Sequence, residues 1–123
     1  MRARPFRHSA VGFGLLANHL DPDLTRSWIE PALSHRGVRE DAARFLRSID
    51  PQELLAVTGR LSQHDVPVRI VWGMADRSFT PQLGRRLQQA FRDAEFIEVP
   101  DARTFVQLDA PEVLAEQIAG FAD

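Results

Sequence analysis

Apolar positions in the first sixty residues recur at helical intervals. Leu24, Trp28 and Ala32 are spaced by four. Asp21-Pro22 ahead of them offers a capping side chain and a proline suited to a first helical turn. Pro31 should end or kink this helix, and Gly37 should break the chain after it. Val38, Ala42, Phe45, Leu46 and Ile49 then form one stripe at the 3.6-residue period. Asp50-Pro51-Gln52-Glu53 has the form of another helix start, with an acidic cap and a glutamate three residues on. Leu54, Leu55, Thr58 and Leu61 share a face of the helix it begins.

The pattern changes near residue 63. Val66 to Trp72 is short, β-branched and mostly apolar, which suits a strand buried on both faces, and Gly73 ends it. Thr80-Pro81 opens a helix with Leu83, Leu87 and Phe91 on its expected buried face and Arg85, Arg86, Gln89 and Arg92 toward solvent. Glu95 to Val99 reads as a second strand, stopped by Pro100. Asp109-Ala110-Pro111-Glu112 starts a last helix in capping-box fashion, with Val113, Leu114, Ile118 and Phe121 on its apolar side. Strand, helix, strand is the crossover unit of a parallel sheet. The fold class expected is therefore α/β. Two parallel strands cannot cover their own edges, so the sequence reads as the end of a larger sheet whose earlier strands are missing. The alternative is a mostly helical domain carrying a small two-stranded ribbon.

Composition narrows the function classes. A chain of 123 residues suits one domain, and 44% apolar with 26% charged residues is ordinary for a globular protein. The net charge of -2 points to neither nucleic acid nor a membrane surface. There is no Cys, which excludes a disulfide scaffold, a thiolate metal site and a cysteine nucleophile. All basic residues are Arg, and Lys and Tyr are absent, so neither can serve in catalysis. No His pair has metal-ligand spacing, and neither a metal nor another cofactor is expected. The longest apolar run falls short of the ~20 residues that span a bilayer. Arg2, Arg4 and Arg7 before the stretch from Ala10 to Ala17 outline a secretory signal. Gly12, Gly14 and the lack of a small-x-small cleavage site weaken that outline, and the cytoplasm is the expected location.

One set of motifs resembles a family. Val68 to Asp76, with Trp72-Gly73-Met74-Ala75-Asp76 at its end, is similar to the "hydrophobic strand, W-G-x-x-D" segment of α/β-hydrolases. Ile97 to Ala102, then Phe105, then Asp109-Ala110-Pro111-Glu112, resemble the last strand of that family and its "P-x-A-G-H-F … E-x-P-E" segment. The resemblance covers residues 63–122, and residues 8–62 resemble the helical lid inserted before these strands. The nearest flavour is the lidded branch of epoxide hydrolases, haloalkane dehalogenases and esterases. It implies a region 1–62 that is helical and lid-like, followed by a region 63–123 that forms the carboxyl-terminal part of the core.

The resemblance also implies chemistry: a nucleophile on a Gly-x-Ser-x-Gly-like elbow (Asp in some branches), an acid and a His. No elbow is present. Gly12-Phe13-Gly14 is the nearest glycine pair, but it holds Phe and has no strand in front. In the family the elbow lies upstream of the lid and would precede Met1. Asp76, just past the first strand, is the candidate acid; its other reading is a loop Asp paired with Arg77 or bonded to nearby backbone N–H groups. Some members carry the acid after an earlier strand. The position expected to hold His is Thr104, preceded by Arg103 where the family has Gly. Thr has no group titrating near neutral pH and cannot replace imidazole as a proton acceptor; nor can Arg103. Asp109 is a tempting substitute, but a cap of the final helix is its expected role. His64 precedes the strand, ~20 Å away at ~3.3 Å per residue, whereas His8, His19 or His35 could approach Asp76 only from the lid-like half. Trp28, Phe79 and Phe105 are candidate pocket residues, with core packing as the other reading for Trp28 and Phe79. Hydrolysis of an ester, epoxide or halide is the implied reaction, with little activity expected from this chain alone. The partners expected are a small-molecule substrate once upstream sequence completes the site, and a second chain, identical or not, along the open edge Val68–Trp72.

Overall fold

The computed structural model of the protein describes residue 9 and residues 12–122. The basic start at Arg2, Arg4 and Arg7, Ala10 of the signal-like stretch and the candidate His8 lie outside the described residues. After a 3-10 turn at Phe13–Leu15 come α1 (Pro22–Ser34), α2 (Arg36–Ser48), α3 (Pro51–Thr58) and a second 3-10 turn at Leu61–Gln63. Then follow β1 (Val68–Gly73), α4 (Pro81–Ala90), β2 (Ala94–Val99), the single turn α5 (Val106–Asp109) and α6 (Pro111–Ala122). The fold is mixed α/β, with two parallel strands among the described residues. Val68 pairs with Ala94 and the register runs to Gly73 with Val99.

Side chains alternate across the strand pair; α4 covers one face, and α6 with the short turn α5 covers the other. On one face Trp72 stacks against Phe96, with ring centroids 6.3 Å apart. Helix α4 lies on this face. A Cβ on Gly84 would sit 2.6 Å from the Trp72 indole, so only glycine lets the helix come this close. On the other face Arg69 donates to Glu95 Oε2 at 2.6 Å and to the carbonyl of Gln117 in α6 at 2.8 Å, with Phe121 beneath its guanidinium. Val99, Ala102 and Val106 form the buried cluster, with Val71, Ala110 and Leu114 against it.

Several local expectations need correction. Helix α1 runs through Pro31 and ends at Ser34. Pro31 cannot donate to the Ser27 carbonyl, but one missing bond does not end the helix: its own carbonyl still accepts from His35 N at 2.9 Å. The break falls at His35, whose backbone is extended, and Gly37 lies inside α2. The covered side of α4 is also not the expected one. Leu83 and Leu87 remain 44% and 38% exposed, whereas Gly84 is buried and Arg85 lies over Phe96 with Glu98 as its ion partner. Arg85 lays its apolar stem and flat guanidinium on the ring, so a charged residue covers the sheet.

The apolar stripes of α2 and α3 form helices, yet they stay open to solvent: Phe45 and Leu46 are each 66% exposed, and Leu54 and Leu55 are exposed as well. β1 pairs with β2 alone among the described residues, so its other edge carries no strand. No helix among the described residues is long and apolar enough to cross a membrane.

Candidate functional site

Two turns at the carboxyl ends of the strands build the site. The turn after β1 is pinned by Met74 N donating to the Val99 carbonyl at 2.9 Å and Ala75 N to the Ala102 carbonyl at 3.0 Å. Gly73 permits this approach, since a Cβ there would lie 2.3 Å from the Arg103 carbonyl and 2.4 Å from that of Ala102. Trp72 contributes from the neighbouring position, its indole Nε1 donating to the Phe79 carbonyl at 3.0 Å. The Trp-Gly pair thus ties the end of β1 to both turns.

Asp76 follows and is 5% exposed. Its Oδ1 accepts from the backbone N–H of Ser78 at 2.7 Å and of Phe79 at 2.9 Å. Its Oδ2 accepts from the Thr104 hydroxyl at 2.6 Å. Three donors offset the cost of burying the carboxylate. Asp76 bonds nearby backbone N–H groups, as a loop Asp would, and it also faces the residue at the position expected to hold His. Arg77 is exposed.

A recess of about 190 Å³ opens beside the pair, lined among others by Val71, Trp72, Phe79, Arg103 and Val106. Phe79 therefore stands beside Asp76 and Thr104. Trp28 and Phe105 instead meet each other edge-on at 5.6 Å, with Phe13 against Trp28 at 5.2 Å, and do not line the recess. That aromatic cluster docks the segment around Phe13 and α1 onto the turn after β2. Phe105 N donates to the Leu16 carbonyl at 2.8 Å, and Arg103 Nη1 to that of Gly14 at 2.6 Å.

Asp109 is not the cap of the last helix. The residue ahead of Pro111 is Ala110, and Asp109 ends the short turn α5, an element the capping pattern concealed. Its carboxylate accepts from the backbone of Asn18 at 2.7 Å, His19 at 3.1 Å and Arg103 at 2.9 Å, and from Asn18 Nδ2 at 3.2 Å. The sequence gives no sign of these partners, because a D-x-P-E string fits a cap equally well. His19 Nδ1 lies 3.7 Å from Asp109 on an exposed side chain. His35 and His64 are exposed, and neither His19, His35 nor His64 bonds Asp76. Among the described residues no group of three or more His, Asp or Glu is arranged to hold a metal ion.

The arrangement can hold and orient a hydrogen-bond donor at Asp76. It cannot move a proton near neutral pH through Thr104, whose hydroxyl does not titrate there.

No family model matches the chain. Among curated proteins it is 33% identical over 88 residues to the haloalkane dehalogenase 2 of Mycobacterium tuberculosis and that of Mycobacterium bovis, covering 71% of this chain and 31% of each relative. It is 30% identical over 125 aligned positions to the dihydrolipoyllysine-residue acetyltransferase component of the acetoin cleaving system of Pseudomonas putida, covering 89% of this chain and 33% of that protein. The chain thus spans about a third of the length of the curated relatives it matches. These likenesses support a relationship to α/β-hydrolases, and the two parallel strands with their flanking helices are consistent with the carboxyl-terminal part of that fold.

Proposed function

We propose that this chain is the carboxyl-terminal portion of an α/β-hydrolase-fold protein of the ester-, epoxide- or halide-hydrolysing class, and that it does not turn over substrate alone. Residues 1–62 form the lid-like region and residues 63–123 the closing part of the core. The observation that carries this reading is the 2.6 Å contact between Thr104 Oγ1 and Asp76 Oδ2. A buried acid aims its free oxygen at the one position where the motif order calls for an imidazole. Asp76 takes the part of the acid, and Thr104 occupies the place of the base without its chemistry. Loss of one member of a coupled triad removes most of the rate, and here the nucleophile elbow is absent as well. The relatives' names describe two different chemistries on chains about three times longer, so a single activity does not transfer by name.

The test is turnover of p-nitrophenyl acetate, an aliphatic epoxide and a 1-haloalkane by the purified chain. No rate above buffer is expected. Turnover that disappears in Asp76→Ala overturns the claim of inactivity. DNA upstream that encodes a strand followed by a Gly-x-Ser/Asp-x-Gly elbow, in the same or a shifted frame, supports the portion reading; its absence in every frame counts against it.

A second reading rests on the uncovered edge of β1 and the exposed faces of α2 and α3. In it the chain is a non-catalytic module completed by a partner chain, or by a second copy, pairing along Val68–Trp72. A monodisperse monomer with one sharp thermal transition removes this reading.

A further inference from the structure

We infer that Asp109 is the positioning residue of this site: its buried carboxylate fixes the turn that sets Thr104 opposite Asp76 and clamps the segment around Asn18 onto that turn. The inference rests on the reading of Asp76 and Thr104 as the site.

The two halves of that pair are held differently. Asp76 is fixed by its own loop, through Ser78 and Phe79, and by the tight fit at Gly73. Thr104 lies in the irregular stretch between β2 and α5, where no ladder or helix holds it. Its neighbours hold it instead. Arg103 N donates to Asp109 Oδ2, and Phe105 N donates to the Leu16 carbonyl. The Leu16 segment is itself anchored by Asn18 and His19 on Asp109, with Asn18 Nδ2 also donating to the Asp101 carbonyl at 2.6 Å. Both flanks of Thr104 therefore lead back to one carboxylate, whose side chain is 2% exposed. A capping aspartate bonds the first N–H groups of its own helix. Each of the four donors to Asp109 comes from outside α6, and those of Asn18 and His19 lie 90 or 91 residues away.

The substitution Thr104→His supplies a probe. With Asp109 intact, the introduced imidazole should face the Asp76 carboxylate and titrate about one to three pH units above an ordinary histidine, followed by NMR. Adding Asp109→Asn, which keeps the shape but replaces one acceptor oxygen by an NH2 group, should return that midpoint to the ordinary value. In the otherwise unchanged chain, Asp109→Asn should speed amide exchange of Asn18, His19, Arg103 and Phe105 by about tenfold and leave the β1 and β2 amides as they were. Asn18→Ala, milder because the Asp109–Arg103 bond survives, should shift both readouts in the same direction by less.

An imidazole midpoint that stays raised after Asp109→Asn overturns the inference, as does equal loosening of the strand amides. An imidazole with no raised midpoint while Asp109 is intact sinks the reading of the site itself. The exchange pattern of Asn18, His19, Arg103 and Phe105 still decides whether Asp109 holds the turn.

Discussion

The strand pair and the α2–α3 region are built from equally regular sequence, yet they differ in what their side chains meet. Around β1 and β2 several positions have a specific neighbour. Gly84 receives the Trp72 ring, Gly73 admits two backbone carbonyls, and Arg69 joins a strand to α6. In α2 the ion pairs Arg36–Glu40 and Arg44–Asp41 lie within the helix, and Phe45 and Leu46 project into solvent. Exposed pairs of that kind contribute little, typically below ~1 kcal/mol. Periodicity is enough to make a helix; complementarity to a second surface is what makes a core. In the proposed reading, the surface that α2 and α3 would pack against belongs to the rest of the hydrolase.

That contrast can be broken most sharply at Gly73. Gly73→Ala drives a Cβ into the Arg103 and Ala102 carbonyls, and backbone cannot step aside as a side-chain tip can. A loss of about 3 kcal/mol or more is expected in urea unfolding. Asp76→Ala removes an acceptor from Ser78, Phe79 and Thr104 together and should cost about 2 kcal/mol in the same assay. Gly84→Ala sets two effects against each other. Contact with the Trp72 ring costs ~1–3 kcal/mol, while the gain in helix propensity returns up to ~1 kcal/mol. A net loss of about 1 kcal/mol is expected, with a blue-shifted or quenched Trp72 fluorescence band. The smallest effect belongs to the other region. The double change Phe45→Ser and Leu46→Ser should alter unfolding by less than about 0.5 kcal/mol and lower the light scattering of concentrated solutions. A large loss there would mean that α2 is packed in solution and would erase the difference between the two regions.

The strands were legible because short β-branched runs between glycine and proline have few other uses, as Val68–Gly73 and Ala94–Val99 illustrate. Motif order singled out Asp76 and Thr104 separately, and the 2.6 Å contact between them is what the structure adds, since an aspartate and a threonine are unremarkable singly. What escaped the sequence depended on distant partners. Gly84 in a helix reads as a weak spot until the indole beneath it is known. Arg85 reads as solvated until Phe96 and Glu98 appear under it. Asp109 satisfied a capping pattern so well that its bonds to Asn18, His19 and Arg103 left no separate trace. The junction of α1 and α2 departs from expectation for a local reason. Pro31 removes a single helix bond and the helix still runs on to Ser34, and His35 rather than Gly37 takes the extended backbone between them.

The two oxygens of Asp76 answer to different parts of the chain, one to its own loop and the other to a residue 28 positions later. This makes the group a built-in reporter of assembly. A carbon-13 label in its carboxyl would give an infrared stretch that changes when the distant hydroxyl arrives, while the nearer contacts stay constant. Followed after rapid dilution from denaturant, that band would time the moment at which the ends of the two strands first come together.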